Sequence, residues 1–116
     1  MTEQEYKEWL TTLKEGDAYL AYSYNRVYGA ALYKVTITKT SEKSVYVGEE
    51  RYNRRDGKCI GSDGYLPKPA TDEQKRKAKL NLSKSKVRVE IGSKLDKLTQ
   101  EQVDKILEIL KGVNYE

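Results

Sequence analysis

Between Gly16 and Pro67, turn-forming residues recur roughly every eight to twelve positions, and β-formers alternate with polar residues in between, as in a small sandwich or barrel. A helical period cannot produce that alternation, so the middle of the chain must be a β-meander. Strands are predicted at 18–24, 31–39, 45–47, 51–55 and 58–60. In the second, Ala31, Tyr33, Val35 and Ile37 alternate with Leu32, Lys34, Thr36 and Thr38, giving one core face and one mostly wet face. Asp56-Gly57 is the strongest hairpin signal in the chain.

Helices flank the meander. Three capping boxes announce them: Thr2 with Glu5, Thr71 with Gln74, and Thr99 with Gln102. In the first helix, predicted at 2–14, Tyr6, Trp9, Leu10 and Leu13 share one face, which a single domain needs to bury against the sheet. The last helix, 99–111, carries Val103, Ile106, Leu107 and Leu110 as its stripe and ends at Gly112. The segment from 71 is harder to read. Its apolar residues split into two stripes, Ala78, Leu82 and Val89 against Leu80, Val87 and Ile91. A helix to about Arg88 is the preferred reading, with Val87, Val89 and Ile91 left open as a sixth strand. The expected class is α+β. Residues 1–70 hold the first helix and the strands, residues 71–116 form a helical appendage, and the whole makes one compact domain.

The 116 residues include no His and a single Cys, Cys59. The commonest general base and metal ligand is therefore missing, and a lone Cys can form neither an internal disulfide nor a Cys-rich zinc site. A reducing, intracellular setting fits this usage. Glu49, Glu50, Asp56 and Asp63 lack metal-ligand spacing, and Gly61-Ser62-Asp63-Gly64 lacks the Walker lysine. No catalytic residue, metal or cofactor is predicted. No apolar run approaches the roughly 20 residues that span a bilayer. The acidic start, Met1-Thr2-Glu3-Gln4-Glu5, is not that of a signal peptide. No membrane association is expected, and the location expected is cytoplasmic.

Charge and aromatic usage point toward binding. The net charge is +4, concentrated in residues 31–70 (net +3) and 71–98 (net +5), while each end of the chain is net −2. There are ten Tyr, one Trp and no Phe. Arg51, Arg54, Arg55 and Lys58 flank the predicted hairpin, with Tyr46 and Tyr52 close by, and Lys75, Arg76 and Lys79 form a secondary patch. Cations supply phosphate contacts, and Tyr supplies stacking surface for unpaired bases. The expected activity is that of a non-enzymatic binding module for nucleic acid or a nucleoprotein complex. With 18 acids against 22 bases, a merely solvated surface competes with that reading. Exposed Tyr and Arg also suit a protein partner.

The run Trp9-Leu10-Thr11-Thr12-Leu13-Lys14-Glu15-Gly16-Asp17, followed by Lys34-Val35-Thr36, resembles the entry to an SH3-like or KOW-like small barrel. The continuation Arg51-Tyr52-Asn53-Arg54-Arg55-Asp56-Gly57, then Gly61, is similar to short phage and prophage proteins of uncharacterised function. In these a Trp-Leu helix leads through Gly-Asp into a barrel, an Arg-rich hairpin and a helical tail. The resemblance covers roughly residues 9–82, and 99–110 resembles the tail. It implies an N-terminal helix on a five-stranded SH3-like barrel, a phage or prophage origin and a binding role in the host cytoplasm. The alternative it leaves open is a phage-encoded inhibitor that contacts a host defence or transcription complex.

Overall fold

All three predicted capping boxes form, and they set where each helix starts. In the computed structural model, which describes residues 1–113, Thr2 opens α1 (Glu3–Thr12). The Glu5 N–H donates to Thr2 Oγ1 and the Thr2 N–H donates to Glu5 Oε1, each at 3.1 Å. These bonds to Thr2 hold the Glu5 carboxyl below its usual range. Thr71 and Gln74 exchange the same pair of bonds at the start of α2 (Asp72–Lys94), and Thr99 and Gln102 do so for α3 (Gln100–Lys111). A short 3₁₀ turn, Leu95–Lys97, separates the last two helices.

Five strands lie between α1 and α2: β1 (Ala18–Asn25), β2 (Gly29–Thr36), β3 (Lys39–Thr40), β4 (Ser44–Val47) and β5 (Glu50–Asn53). They pair as two antiparallel sheets, β1-β2 and β3-β4-β5, and no ladder among the described residues closes them into a barrel. The fold is α+β as expected, but the expected single rolled sheet is replaced by two. The reason lies at Ile37 and Thr38. The Ile37 N–H donates to the Asp17 carbonyl, beside β1, while the next N–H, of Thr38, donates to the Tyr46 carbonyl in β4. The chain thus leaves one sheet and joins the other within two residues, and the predicted strand 31–39 is cut in two. The predicted strand at 58–60 forms no ladder. It makes only the isolated bridges Tyr52↔Cys59 and Lys58↔Tyr65.

The predicted face of α1 is buried as the periodicity requires. Tyr6, Leu10 and Leu13 join Ile37, Val45, Tyr52, Cys59 and Leu66 in one core, with Trp9, Tyr19 and Val47 packed around it. Leu10, Ile37, Val45 and Leu66 are fully buried, each worth about 1.5–3 kcal/mol of hydrophobic stabilisation. Trp9 meets Tyr19 edge-on, with centroids 5.1 Å apart. Tyr6 donates its hydroxyl to the Leu66 carbonyl at 2.7 Å, and Tyr19 donates to the Pro67 carbonyl at 2.5 Å. Burial raises both phenols, Tyr6 to about 12 and Tyr19 further.

The chain divides into two compact units, residues 1–81 and 82–116. The boundary falls inside α2, not at residue 70, because the first turns of that helix belong to the sheet unit. Ala78 is buried, and Asn81 Nδ2 donates to the Tyr28 and Ala30 carbonyls, both at 2.9 Å. Residues 87–91 are helical, so the alternation of Val87, Val89 and Ile91 does not mark a strand. No helix among the described residues is long and apolar enough to cross a membrane.

Candidate functional site

In β4, successive side chains point to opposite faces. Val45 points into the core and is fully buried, so Tyr46 lies on the outer face of the three-stranded sheet. Register then fixes its neighbours: Lys39 sits directly across from Tyr46 on β3, and Arg51 directly across on β5. The result is a cross-strand row, Lys39–Tyr46–Arg51. Cross-strand neighbours on one face lie close enough to act together. The Lys39 ammonium is 5.4 Å from the centre of the Tyr46 ring, which is half-buried.

An open cleft of about 580 Å³ adjoins this row. Its wall carries four cations, Lys43, Arg51, Arg54 and Arg55, against a single acid, Glu42, with Thr11, Ser44, Asn53 and Ile60 completing it. The loop after β5 shapes the cleft. The Gly57 N–H donates to the Asn53 carbonyl at 2.7 Å, so the turn takes in Arg54, Arg55 and Asp56 and is wider than the two-residue Asp-Gly turn that the sequence suggests. Asn53 Oδ1 accepts from the Arg55 N–H and Asp56 Oδ1 from the Lys58 N–H, so the loop backbone is fixed while the Arg55 side chain stays exposed. Gly57 has φ +78°, and a Cβ there would lie 2.1 Å from Tyr6 Oη, so only glycine fits.

Three of the four cations of the cleft, Lys43, Arg51 and Arg55, are available to a ligand. The ion pairs among the described residues are Glu3–Lys7, Glu73–Lys77, Glu90–Lys94 and Glu101–Lys105, all one turn apart on helices. Lys39, Lys43, Arg51 and Arg55 belong to none of them.

Two of the residues expected to bind instead hold the fold together. Arg54 Nη2 donates to the Leu13 carbonyl at 2.6 Å, and its Nε is buried without a hydrogen-bond partner. Leu13 is the C-cap of α1, whose last turn contains no basic residue, so Arg54 supplies from a distance the cation that the end of the helix favours. Its guanidinium is committed to that carbonyl and is not displayed. Tyr52, expected to stack, is 7% exposed and lies in the core, because it shares the inward face of β5 opposite Val45. Its hydroxyl donates to Glu50 Oε2 at 2.5 Å, and burial, followed by that bond, raises its pKa strongly.

Lys58 is exposed but does not line the cleft, and Lys75, Arg76 and Lys79 are exposed on α2 away from its walls. Nothing in the sequence pattern singles out Lys39 or Lys43 as a binding residue. Lys39 stands at the end of a predicted strand, and register with Tyr46 brings it to this face, while Lys43 lies in the connection between β3 and β4. The Arg54 N–H donates to the Lys43 carbonyl at 2.9 Å, which ties the two loops together. A second cavity of about 430 Å³, beside Tyr6, Tyr65 and Leu66, has Lys7 and Lys68 balanced by Glu3 and Asp56 and so favours neither sign of ligand charge. Comparison of the chain with protein-family models, with curated proteins and with solved structures gives no match.

Proposed function

We propose that this protein is a non-enzymatic binding module that holds single-stranded nucleic acid across the outer face of the three-stranded sheet. The observation that carries the reading is the Lys39–Tyr46–Arg51 row beside a cleft whose cations Lys43, Arg51 and Arg55 are in no ion pair among the described residues. Phosphates would lie along those cations, and an unpaired base would stack on Tyr46. Lys39 does not prevent this. An exposed cation–π contact is worth about 0.5–1 kcal/mol and a stacked base about 1–3, so a base can displace the ammonium. The cleft has the volume of a pocket for a nucleotide-sized ligand.

The test is binding of a labelled oligo(dT) strand across ionic strength. Four phosphate contacts, from Lys39, Lys43, Arg51 and Arg55, give a log–log salt slope of about −3, and each alanine substitution lowers it by about 0.7. Absence of binding at low salt overturns the proposal.

One feature favours a second reading, a phage inhibitor that contacts a host protein. The β1–β2 tip displays Tyr24, Val27 and Tyr28 at 70–80% exposure. Asn25 Oδ1, which accepts from the Val27 and Tyr28 N–H groups, and Asn81 fix its backbone. A rigid aromatic tip has hot-spot chemistry, and a complex made through it would tolerate salt.

A further inference from the structure

The unit formed by residues 82–116 contains a contradiction that a partner would resolve. No residue from 82 to 113 is buried. Yet α3 has a well-formed apolar stripe, in which Val103 and Ile106 are half-buried while Leu107 and Leu110 are 51% and 47% exposed. On α2, Val87 is 56% exposed in line with Ile91, and Leu95 just beyond the helix is also 56% exposed. Helices as short as α3 are marginal in water unless an apolar face is packed. Together these side chains expose on the order of 500 Å² per copy, the larger part of the roughly 800 Å² that one partner contributes to a standard interface.

Charge identifies the occupant. In the part of α2 within this unit, Lys84, Lys86, Arg88 and Lys94 outweigh Glu90, for a net +3. In α3, Glu101, Asp104 and Glu108 outweigh Lys105 and Lys111, for a net −1. Once the pairs Glu90–Lys94 and Glu101–Lys105 are set aside, the cations Lys84, Lys86 and Arg88 and the acids Asp104 and Glu108 remain outside any ion pair among the described residues. We infer that the occupant is a second copy of this chain, its α2–α3 segment laid so that each basic α2 meets the acidic α3 of the other copy. A two-fold arrangement satisfies both contacts at once, whereas α2 on α2 would oppose like charges. The four helices then share one apolar core, as in an antiparallel bundle.

Sedimentation of the full chain tests this. The expected species has twice the mass of the chain at micromolar concentration, and Leu110→Asp weakens it about thirtyfold or more. Two charge-reversed chains test the pairing itself. One carries Lys84→Glu with Arg88→Glu and is acidic on both helices. The other carries Asp104→Lys with Glu108→Lys and is basic on both. Each alone is expected to be monomeric, and an equimolar mixture is expected to form the heterodimer, with circular dichroism confirming that all the chains are folded. The inference is overturned if the parent chain stays monomeric at about 100 μM, a concentration that would populate even a weak dimer. It is equally overturned if either reversed chain dimerises as tightly as the parent, or if the mixture stays monomeric.

Discussion

Replacing Gly57 by Ala should be among the most costly small changes in the sheet unit, and the structure separates its cost into two parts. The first is backbone strain. Gly57 has φ +78°, where an L side chain costs about 1–2 kcal/mol. The second is a collision. The new Cβ would meet Tyr6 Oη at 2.1 Å, Cζ at 2.7 Å and Cε2 at 2.8 Å. The rigid ring cannot turn aside without giving up its bond to the Leu66 carbonyl, so overpacking adds about 1–3 kcal/mol. The total is about 2–5 kcal/mol. Gly48 supplies the control. It also has positive φ, at +61°, but a Cβ there would have nothing within 4 Å, so Gly48→Ala should cost only about 1–2 kcal/mol of strain. Urea unfolding of the two variants gives the comparison from the shift in midpoint at constant slope. Repeating Gly57→Ala in a Tyr6→Leu background should recover about 1–3 kcal/mol as coupling, because the colliding atoms are gone. Equal costs at Gly48 and Gly57, or no coupling to Tyr6, would refute the seating of the hairpin loop on α1. The loop also carries Arg55, so the same variant should weaken oligonucleotide binding.

Two further outcomes follow from the site and the core. Arg54→Ala should cost about 1–3 kcal/mol of stability by leaving the Leu13 carbonyl without its donor, while the adjacent Arg55→Ala should stay within about 0.5 kcal/mol; urea melts paired with salt titrations separate them, since only Arg55→Ala should flatten the slope. Alkaline stability should also report the buried phenols. Above about pH 10 the tyrosines of the unfolded chain ionise while Tyr6, raised to about 12, and Tyr19 and Tyr52 keep their protons, so the unfolded state binds fewer protons and stability falls with rising pH. A urea midpoint that is flat to about pH 9 and falls above about 10 is the expected result, with tyrosinate absorbance following the late ionisation of Tyr6, Tyr19 and Tyr52.

Much of the fold is legible in local sequence, because capping and helical periodicity are local physics. The Thr-x-x-Glu/Gln boxes mark all three helix starts, and the spacing of Tyr6, Leu10 and Leu13 identifies the buried face of α1. The two sheets are less legible. The residues around Ile37 keep a clean alternation, and nothing in that pattern says that hydrogen bonding passes from Asp17 to Tyr46 between one residue and the next. The site is legible only by type. The cations after Glu50 stand out in sequence, but the fate of each depends on which face it occupies and on what lies far away in the chain, 41 residues in the case of Arg54. Arg54 is claimed by the Leu13 carbonyl and Tyr52 by the core, two contacts that no local pattern encodes. Conversely, Lys39 and Lys43 become site residues only through register with β4 and the loop after β5. The helical reading of 71–88 extends through 94, since Val87, Val89 and Ile91 form no β-ladder and the i,i+4 pair Glu90–Lys94 suits a helix.

Backbone amide shifts of the ¹⁵N-labelled protein, followed as unlabelled oligo(dT) is added at low salt, bear most directly on the proposed function. The perturbations should concentrate on Lys39, Lys43, Tyr46, Arg51 and Arg55, and leave Tyr52 and the α2 patch of Lys75, Arg76 and Lys79 nearly still. A saturable response centred on the β1–β2 tip or on α2, or no response at all, would contradict the outer face of the three-stranded sheet as the binding surface.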